Sequence, residues 1–173
     1  MTPQAGAASL ELRAATPADE PFLRRLYADA RGAELARLPL DEPARETLLR
    51  IQFDAQSRSY AAAHPHASND VVLVDAAPAG RLWVDRSGSE IWLIDIALVS
   101  EHRRRGLGGR LLTALIDEAR ERGCAVRLHV EAHNPARRLY ERLGFRVVAE
   151  DQVYLAMACA PGPAATDQAN TAS

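Results

Sequence analysis

The stretch LVSEHRRRGLGG, residues 98–109, decides the fold because it joins two segments of opposite character. The apolar run Ile91–Ile94 leads into it, and the amphipathic run Arg110–Arg122 leads out of it. This order predicts a strand, an arginine- and glycine-rich loop, and a helix. Backbone N–H groups at a helix N-terminus attract anions, as does the positive end of the helix dipole. With three consecutive arginines, the stretch predicts a site for a polyphosphate, such as the pyrophosphate of a nucleotide-containing cofactor.

The length and composition predict one globular domain. The chain has 173 residues, 47% of them apolar and 25% charged, which is ordinary for a globular protein with a core. We expect the domain to span residues 9–158, between a flexible N-terminus (1–8) and a disordered tail (159–173). The net charge of −2 argues against a nucleic-acid partner. All 21 basic residues are arginine, which excludes a lysine Schiff base and, with the many alanines, suggests a bacterial genome.

The cysteine content and the N-terminus predict a cytoplasmic protein. The two cysteines, Cys124 and Cys159, are too few for a disulfide scaffold, so we expect reduced thiols. No set of side chains has the spacing of metal ligands, so no metal is expected. The N-terminus lacks a basic start followed by an apolar core, and no apolar run approaches membrane-spanning length. We therefore expect no membrane partner.

The first half of the chain predicts one strand and two helices. Alternating apolar and polar residues indicate a strand over Leu10–Ala14. Thr16 is a good N-cap for a helix that we expect Gly32 to end. A second helix is expected from Asp41 to about residue 62, and its apolar side is formed by Leu48, Ile51 and Ala55.

The second half predicts a meander followed by a strand–helix–strand unit. Short connections join three predicted strands, which must therefore be antiparallel: 71–74, 81–86 and 90–99. The helix 110–122 then leads to a strand over 125–131, and such a crossover is right-handed and parallel.

A second block, NPARRLYERLGF at residues 134–145, predicts a short helix. Asn134 suits its N-cap, Pro135 its first turn, and Gly144 the position after its end. Two apolar runs, 147–148 and 153–157, predict a final hairpin. The fold class is therefore α/β (α+β), with a mixed, mostly antiparallel sheet of about seven strands and about four helices.

Together the two blocks resemble the GNAT superfamily of N-acetyltransferases. The resemblance rests on Arg103-x-x-Gly106-x-Gly108, on Asn134-Pro135-Ala136-x-x-Leu139-Tyr140-x-x-Leu143-Gly144-Phe145, and on the order of elements over residues 9–158. It implies a GNAT-like domain with splayed central strands, and acetyl-CoA as co-substrate. It also implies a primary amine acceptor, a small molecule or a peptide. Dimers are frequent in the family, so the resemblance allows a homodimer.

The resemblance also implies roles for individual residues. The loop from Arg103 to Gly108 would wrap the pyrophosphate of acetyl-CoA. With a bulge near Ala97 and Leu98, the backbone of the preceding strand would bond the pantetheine arm, and an N–H near Leu98 would polarise the thioester carbonyl. The implied cofactor-binding set is Ile96, Leu98, Val99, Ser100, Arg103, Arg104, Arg105, Gly106, Leu107, Gly108, Gly109, Asn134 and Arg137.

The resemblance also implies that Tyr140 is the general acid. A phenol with a pKa of about 10 can give its proton to a departing coenzyme A thiolate of comparable basicity. The simplest scheme is direct attack by the amine in a ternary complex, without a metal or a covalent enzyme intermediate. The alternatives are that Tyr140 only packs with its helix neighbours, that Asn134 is only a cap, and that the arginines form a solvated patch.

Asp95 is the second expected catalytic residue, because a carboxylate within an otherwise apolar strand needs a reason. Family members that acetylate small amines often carry an acid here, as a base or an anchor for the ammonium group. No neighbour in the sequence offers Asp95 a partner, but a structural ion pair is the alternative. The other usual acid positions hold Trp92 and Ile94, so water could serve as the base instead.

Two other classes of protein remain open from the sequence. The glycines between strand and helix, with the acidic Glu131 downstream, weakly resemble the glycine motif of dinucleotide-binding oxidoreductases. However, Leu111 occupies the third glycine position and a six-residue spacer precedes Gly106. The other class is a non-catalytic acyl-CoA sensor, which would share the loop. The region 34–66 shows no motif that identifies the acceptor.

Overall fold

The computed structural model describes residues 8–161. Within them the strands are β1 (Leu10–Ala14), β2 (Ser68–Val74), β3 (Ala77–Asp85), β4 (Ile91–Leu98), β5 (Val126–Glu131), β6 (Arg146–Glu150) and β7 (Tyr154–Cys159). The helices are α1 (Glu20–Leu35), α2 (Glu42–Ala63), α3 (Leu107–Glu121) and α4 (Arg137–Arg142), with 3-10 turns at Pro17–Asp19 and Ser100–His102. The strands form one sheet in the order β1-β2-β3-β4-β5-β7-β6, which confirms the predicted α+β fold.

The chain divides into two compact units, residues 8–87 with 93–108 and residues 88–92 with 109–161. The single domain over residues 9–158 stays a prediction. The expected flexible N-terminus and disordered tail lie outside the described residues, apart from residue 8 and residues 159–161.

The first unit is built on an antiparallel meander. Leu10 of β1 lies opposite Val74 of β2, and β2 pairs with β3 across a bulge near Val72. On one side α1 and α2 meet through Leu23, Leu26 and Phe53, which are all buried. Burial of each such side chain contributes about 1.5–3 kcal/mol. A second cluster unites Val74, Ala79 and Leu107.

The expectation that Gly32 ends α1 is wrong. The helix continues through Gly32 to Leu35, whose side chain is buried. A glycine inside a helix costs about 1 kcal/mol relative to alanine, which is less than the gain from burying a leucine. Packing of the last turn therefore extends the helix beyond the residue that local preference selects.

The predicted buried side of α2 is also wrong. Asp41 caps the helix as expected, its carboxylate accepting from the Ala44 N–H at 2.9 Å. However, Ile51 is 56% exposed and Phe53 is the buried residue. The inward side of α2 includes the polar Gln56, whose side-chain oxygen accepts a hydrogen bond from Arg81. The spacing of apolar residues therefore predicted the wrong side of the helix.

In the second unit β7 pairs antiparallel with both β5 and β6, and the predicted final hairpin is confirmed. The helix α3 begins at Leu107, three residues before its predicted start. Cys124 and Cys159 are free, buried thiols, and burial raises the pKa of Cys159. Of the helices between residues 8 and 161, none combines the length and the apolar character needed to cross a membrane.

Candidate active site

The strand β4 is a central strand that remains partly open. Residues 94–99 are only half-buried, whereas residues 79–84 of its neighbour β3 are all buried. The side chains of Ala97 and Val99 pack against the Leu23 cluster, and Leu98 packs against the Val74 cluster. Much of β4 therefore lies within reach of a ligand, although its side chains are anchored on both faces.

The loop after β4 turns sharply into α3. Arg104 and Gly106 both have left-handed backbone conformations, with φ of 57° and 79°. Left-handed residues within a turn direct successive N–H groups toward one concave side, a geometry that binds anions. In the described part of the chain, the N–H groups of residues 104–109 donate to no other protein group. These N–H groups lie at the N-terminus of α3, which is the positive end of its helix dipole.

Leu107 anchors this loop. Its side chain is buried against Val74 and Ala79, so it contributes only its backbone to the surface of the loop. The glycines of the loop have no side chain to bury. A Cβ atom built on Gly106 meets no atom within 4 Å, so the space above it is free of protein.

Two of the three arginines of the loop already have partners within the protein. The guanidinium of Arg103 donates to Asp29 Oδ2 at 2.7 Å, and its Nε donates to the Leu98 carbonyl at 2.8 Å. Arg105 lies 3.1 Å from the ring of His102. Across residues 8–161, the Arg104 side chain has no hydrogen-bond partner. Arg104 is thus the arginine most available to an anion.

The sequence did not reveal Asp29, which lies on α1, far from the loop in the chain. Its Oδ2 also accepts from the Ser100 N–H at 2.9 Å. The neighbouring Glu101 is held ionised, because hydrogen bonds from its own backbone N–H and from the Ser100 hydroxyl lower its pKa. Carboxylates therefore accompany the arginines at the start of the loop.

Asp95 has a partner that its sequence neighbours did not indicate. The Nε of Arg81 donates to Asp95 Oδ2 at 2.8 Å, and the Arg81 terminal NH2 donates to the same oxygen and to Gln56. Arg81 is only 4% exposed, and its guanidinium lies 5.4 Å from the centre of the Trp83 ring. The charge of Asp95 therefore balances a buried cation.

Asn134 is not the N-cap of α4, which corrects the prediction. The helix begins at Arg137 with Ala136 as its cap. The Asn134 side chain instead accepts from the Ala136 N–H at 2.9 Å, which closes a separate turn before the helix. Pro135 lies within that turn, whereas Gly144 does follow the end of α4, with φ of 98°.

A cavity of about 500 Å³ lies beside this turn. Asn134, Arg137 and Arg138 line it together with Ala132, His133, Pro135 and Glu141. Arg137 is paired with Glu141 on the same helix, its Nε lying 2.8 Å from the carboxylate. The turn thus presents an amide to this cavity, and the start of α4 presents two guanidinium groups.

Tyr140 is buried at 6% exposure on α4. Its ring packs edge-on against Phe145, with 5.7 Å between ring centres. Tyr140 therefore has a packing contact beyond its own helix, and this contact does not exclude a chemical role for the hydroxyl.

Comparison with known proteins identifies the family. Residues 22–145 match the acetyltransferase (GNAT) family, and the chain belongs to it. It is a family of acyltransferases, so the resemblance drawn from the two sequence blocks is confirmed, and the dinucleotide-binding alternative loses its support.

Individual relatives agree with this assignment. A 61-residue segment is 48% identical to mycothiol acetyltransferase from Corynebacterium aurimucosum, covering 34% of this chain and 20% of that protein. The match therefore spans about a fifth of the length of that relative. The fold is similar to that of PaiA N-acetyltransferase from Thermoplasma acidophilum in complex with coenzyme A (18% identity, TM-score 0.67, 88% of this chain and 99% of that one). It is also similar to the ribosomal-protein-S18-alanine N-acetyltransferase of Escherichia coli (22% identity, TM-score 0.61, 92% and 98%).

Proposed function

We propose that this chain is an acetyl-CoA-dependent N-acetyltransferase that acetylates a primary amine by direct attack in a ternary complex. The observation that carries the proposal is the loop and first helical turn of residues 104–109, whose N–H groups have no protein acceptor among the described residues. Such donors at a helix N-terminus suit a pyrophosphate. The GNAT assignment of residues 22–145 supports the acetyl-CoA class of ligand.

We propose that the pantetheine arm of acetyl-CoA lies along the half-exposed end of β4. The backbone of Ile96 and Leu98 would bond it as an added strand would. The N–H and carbonyl of Val99 already bond Ala79 and His102, and the N–H of Ser100 already bonds Asp29, so these two predicted residues would contact the arm by other groups. In the phosphate loop Arg104 and Arg105 add charge, Gly106, Gly108 and Gly109 permit close backbone approach, and Leu107 offers its N–H. Asn134, in the turn before α4, and Arg137, at the start of α4, would contact another part of the cofactor.

Acetyl-CoA supplies the acetyl group as an activated thioester. A backbone N–H near Leu98 would polarise the thioester carbonyl. The hydroxyl of Tyr140 donates its proton to the departing sulfur, and the packing of its ring on Phe145 holds the phenol in one orientation.

We infer that the amine loses its proton to water rather than to Asp95. The sequence predicted that Asp95 is the base or an ammonium anchor, with a structural ion pair as the alternative. Its pair with the buried Arg81 supports the structural role instead, because a carboxylate that balances a buried guanidinium is poorly placed to give up that charge.

A primary amine is the proposed acceptor class, on a small molecule or a peptide. Two similar structures are named as N-acetyltransferases, which supports nitrogen as the acceptor atom. The free thiols of Cys124 and Cys159 support a cytoplasmic location.

Turnover of acetyl-CoA against a panel of amines and N-terminal peptides tests the proposal. Thiol release should rise with at least one acceptor, and mass spectrometry should find that acceptor heavier by one acetyl group. Binding of acetyl-CoA without any acetylated product across the panel would favour the acyl-CoA sensor instead.

A further inference from the structure

We propose that Asp29 is a positioning residue for the phosphate loop, and that Arg103 anchors this loop rather than binding the phosphates. The inference rests on the proposed function, because it assigns a task within the same acetyl-CoA site. It departs from the role that the sequence resemblance implies for Arg103.

The geometry joins three elements through two side chains. Asp29 on α1 accepts from the Ser100 N–H at 2.9 Å and from the Arg103 guanidinium at 2.7 Å through one oxygen, Oδ2. Arg103 then donates from Nε to the carbonyl of Leu98, at the end of β4, at 2.8 Å. The start of the loop is therefore tied both to α1 and to the strand that precedes it.

These bonds use the groups that an anion would need. The N–H of Ser100 already has a charged acceptor, and Arg103 donates to both a carboxylate and a carbonyl. A phosphate could reach Arg103 only by displacing Asp29 or by lying beside a negative charge. The N–H groups of residues 104–109 and the side chain of Arg104 carry no such commitment among the described residues.

The location of the pair argues against a role in overall stability. The side chains of Asp29 and Arg103 are 35% and 40% exposed, and ion pairs this accessible contribute little to folding. Their effect is local, because they fix where the chain leaves β4 and so where the left-handed residues Arg104 and Gly106 begin.

The two possible roles of Arg103 predict opposite signs for one substitution. If Arg103 binds phosphate, Asp29 competes with the phosphate, and Asp29→Asn should strengthen binding. If Arg103 anchors the loop, Asp29→Asn releases the loop and weakens binding.

Calorimetric titration with coenzyme A decides between them. We expect Asp29→Asn and Arg103→Gln each to weaken binding about fivefold to tenfold, and the double variant to be no weaker than either, because both break one coupled unit. Glu34→Gln is the matched control, since it removes a carboxylate from the same helix whose ion pair, within residues 8–161, is with Arg31 on that helix, and it should bind within about twofold of the parent.

Proteolysis gives a reading that does not use coenzyme A. Trypsin should cleave after Arg104 or Arg105 several-fold faster in Asp29→Asn than in Glu34→Gln, at equal melting temperatures. Cleavage at equal rates would contradict the inference.

The binding outcomes separate the inference from the proposed function. If the parent binds coenzyme A and Asp29→Asn binds as tightly or more tightly, only the inference is overturned, and the same holds if the two single effects multiply in the double variant. If the parent does not bind coenzyme A, the proposed function fails and the role of Asp29 in it fails too.

Discussion

At the scale of single residues, the structure shows which side chains already have partners within the protein. Arg81 and Asp95 form a pair that neither residue type revealed in the sequence, because the two lie on different strands. Tyr140 was recognisable from its motif, but its burial against Phe145 was not. Long-range partners such as Arg81 and Asp29 depend on tertiary packing, which local sequence patterns do not encode.

Tyr140→Phe tests the general acid. The substitution keeps the ring on Phe145 and removes only the hydroxyl, so coenzyme A affinity and melting temperature should hardly change. We expect kcat to fall roughly 10²–10⁴-fold. Tyr154→Phe, at an exposed position on β7, is the control and should leave kcat unchanged. An unaltered kcat for Tyr140→Phe, with chemistry shown to limit the rate, would leave Tyr140 a packing residue.

Asp95→Asn tests the role of the carboxylate. The change leaves the buried guanidinium of Arg81 without a compensating charge, so we expect a loss of about 2–3 kcal/mol in the free energy of unfolding. Activity per folded molecule should stay within about threefold, well below 1 kcal/mol. A stable variant whose kcat/KM for the amine falls tenfold, with a shifted pH profile, would instead make Asp95 the base or ammonium anchor.

At the scale of elements, periodicity found the helices and strands but not all of their ends and faces. The loop between β4 and α3 was predicted from its glycines, which have strong local preferences, but α3 begins three residues before its predicted start. The end of α1 was mispredicted since the burial of Leu35 outweighs the local preference of Gly32. The inward side of α2 was missed because Gln56 faces a buried arginine there.

Gly32→Ala tests whether α1 continues through this position. A Cβ atom at Gly32 meets no neighbour, and alanine is the better helix former, so stability should rise by about 0.5–1 kcal/mol. Urea unfolding measures the change. Ala33→Gly, one residue further along the same helix, should lower stability by a similar amount. A loss of stability in Gly32→Ala would mean that the helix ends at Gly32.

At the scale of the whole molecule, the fold and family were accessible from the sequence, while the acceptor was not. Two spaced motifs and the order of elements are sufficient for the GNAT assignment, which the family comparison confirms. Residues 34–66, where the family resemblance implies acceptor contacts, have no comparable motif, since acceptors are contacted by side chains of many kinds. The pH dependence of folding stability, by contrast, can be predicted from the structure.

Asp85 should make folding stability fall in acid. Hydrogen bonds from the Ser87 hydroxyl and N–H and from His64 lower the pKa of Asp85 to about 2. Because the folded pKa lies below the unfolded value of about 3.9, its contribution is present above pH 4 and is lost as the pH falls toward 2. Asp85→Asn should cost on the order of 1 kcal/mol at pH 7. In urea unfolding, a difference that does not shrink between pH 4 and pH 2 would refute this.

The central claim, that residues 104–109 bind the phosphates of acetyl-CoA, is tested most directly by titrating Gly106→Val with coenzyme A. The parent should bind in the micromolar range, and the variant at least about tenfold more weakly, or 1.4 kcal/mol. A side chain at Gly106 would cover the N–H groups of the loop. Gly123→Val is the matched control, because Gly123 has a similar left-handed φ of 64° and equally open space at the other end of α3. It should bind like the parent. Equal affinity in Gly106→Val, or no binding by the parent, would contradict the account.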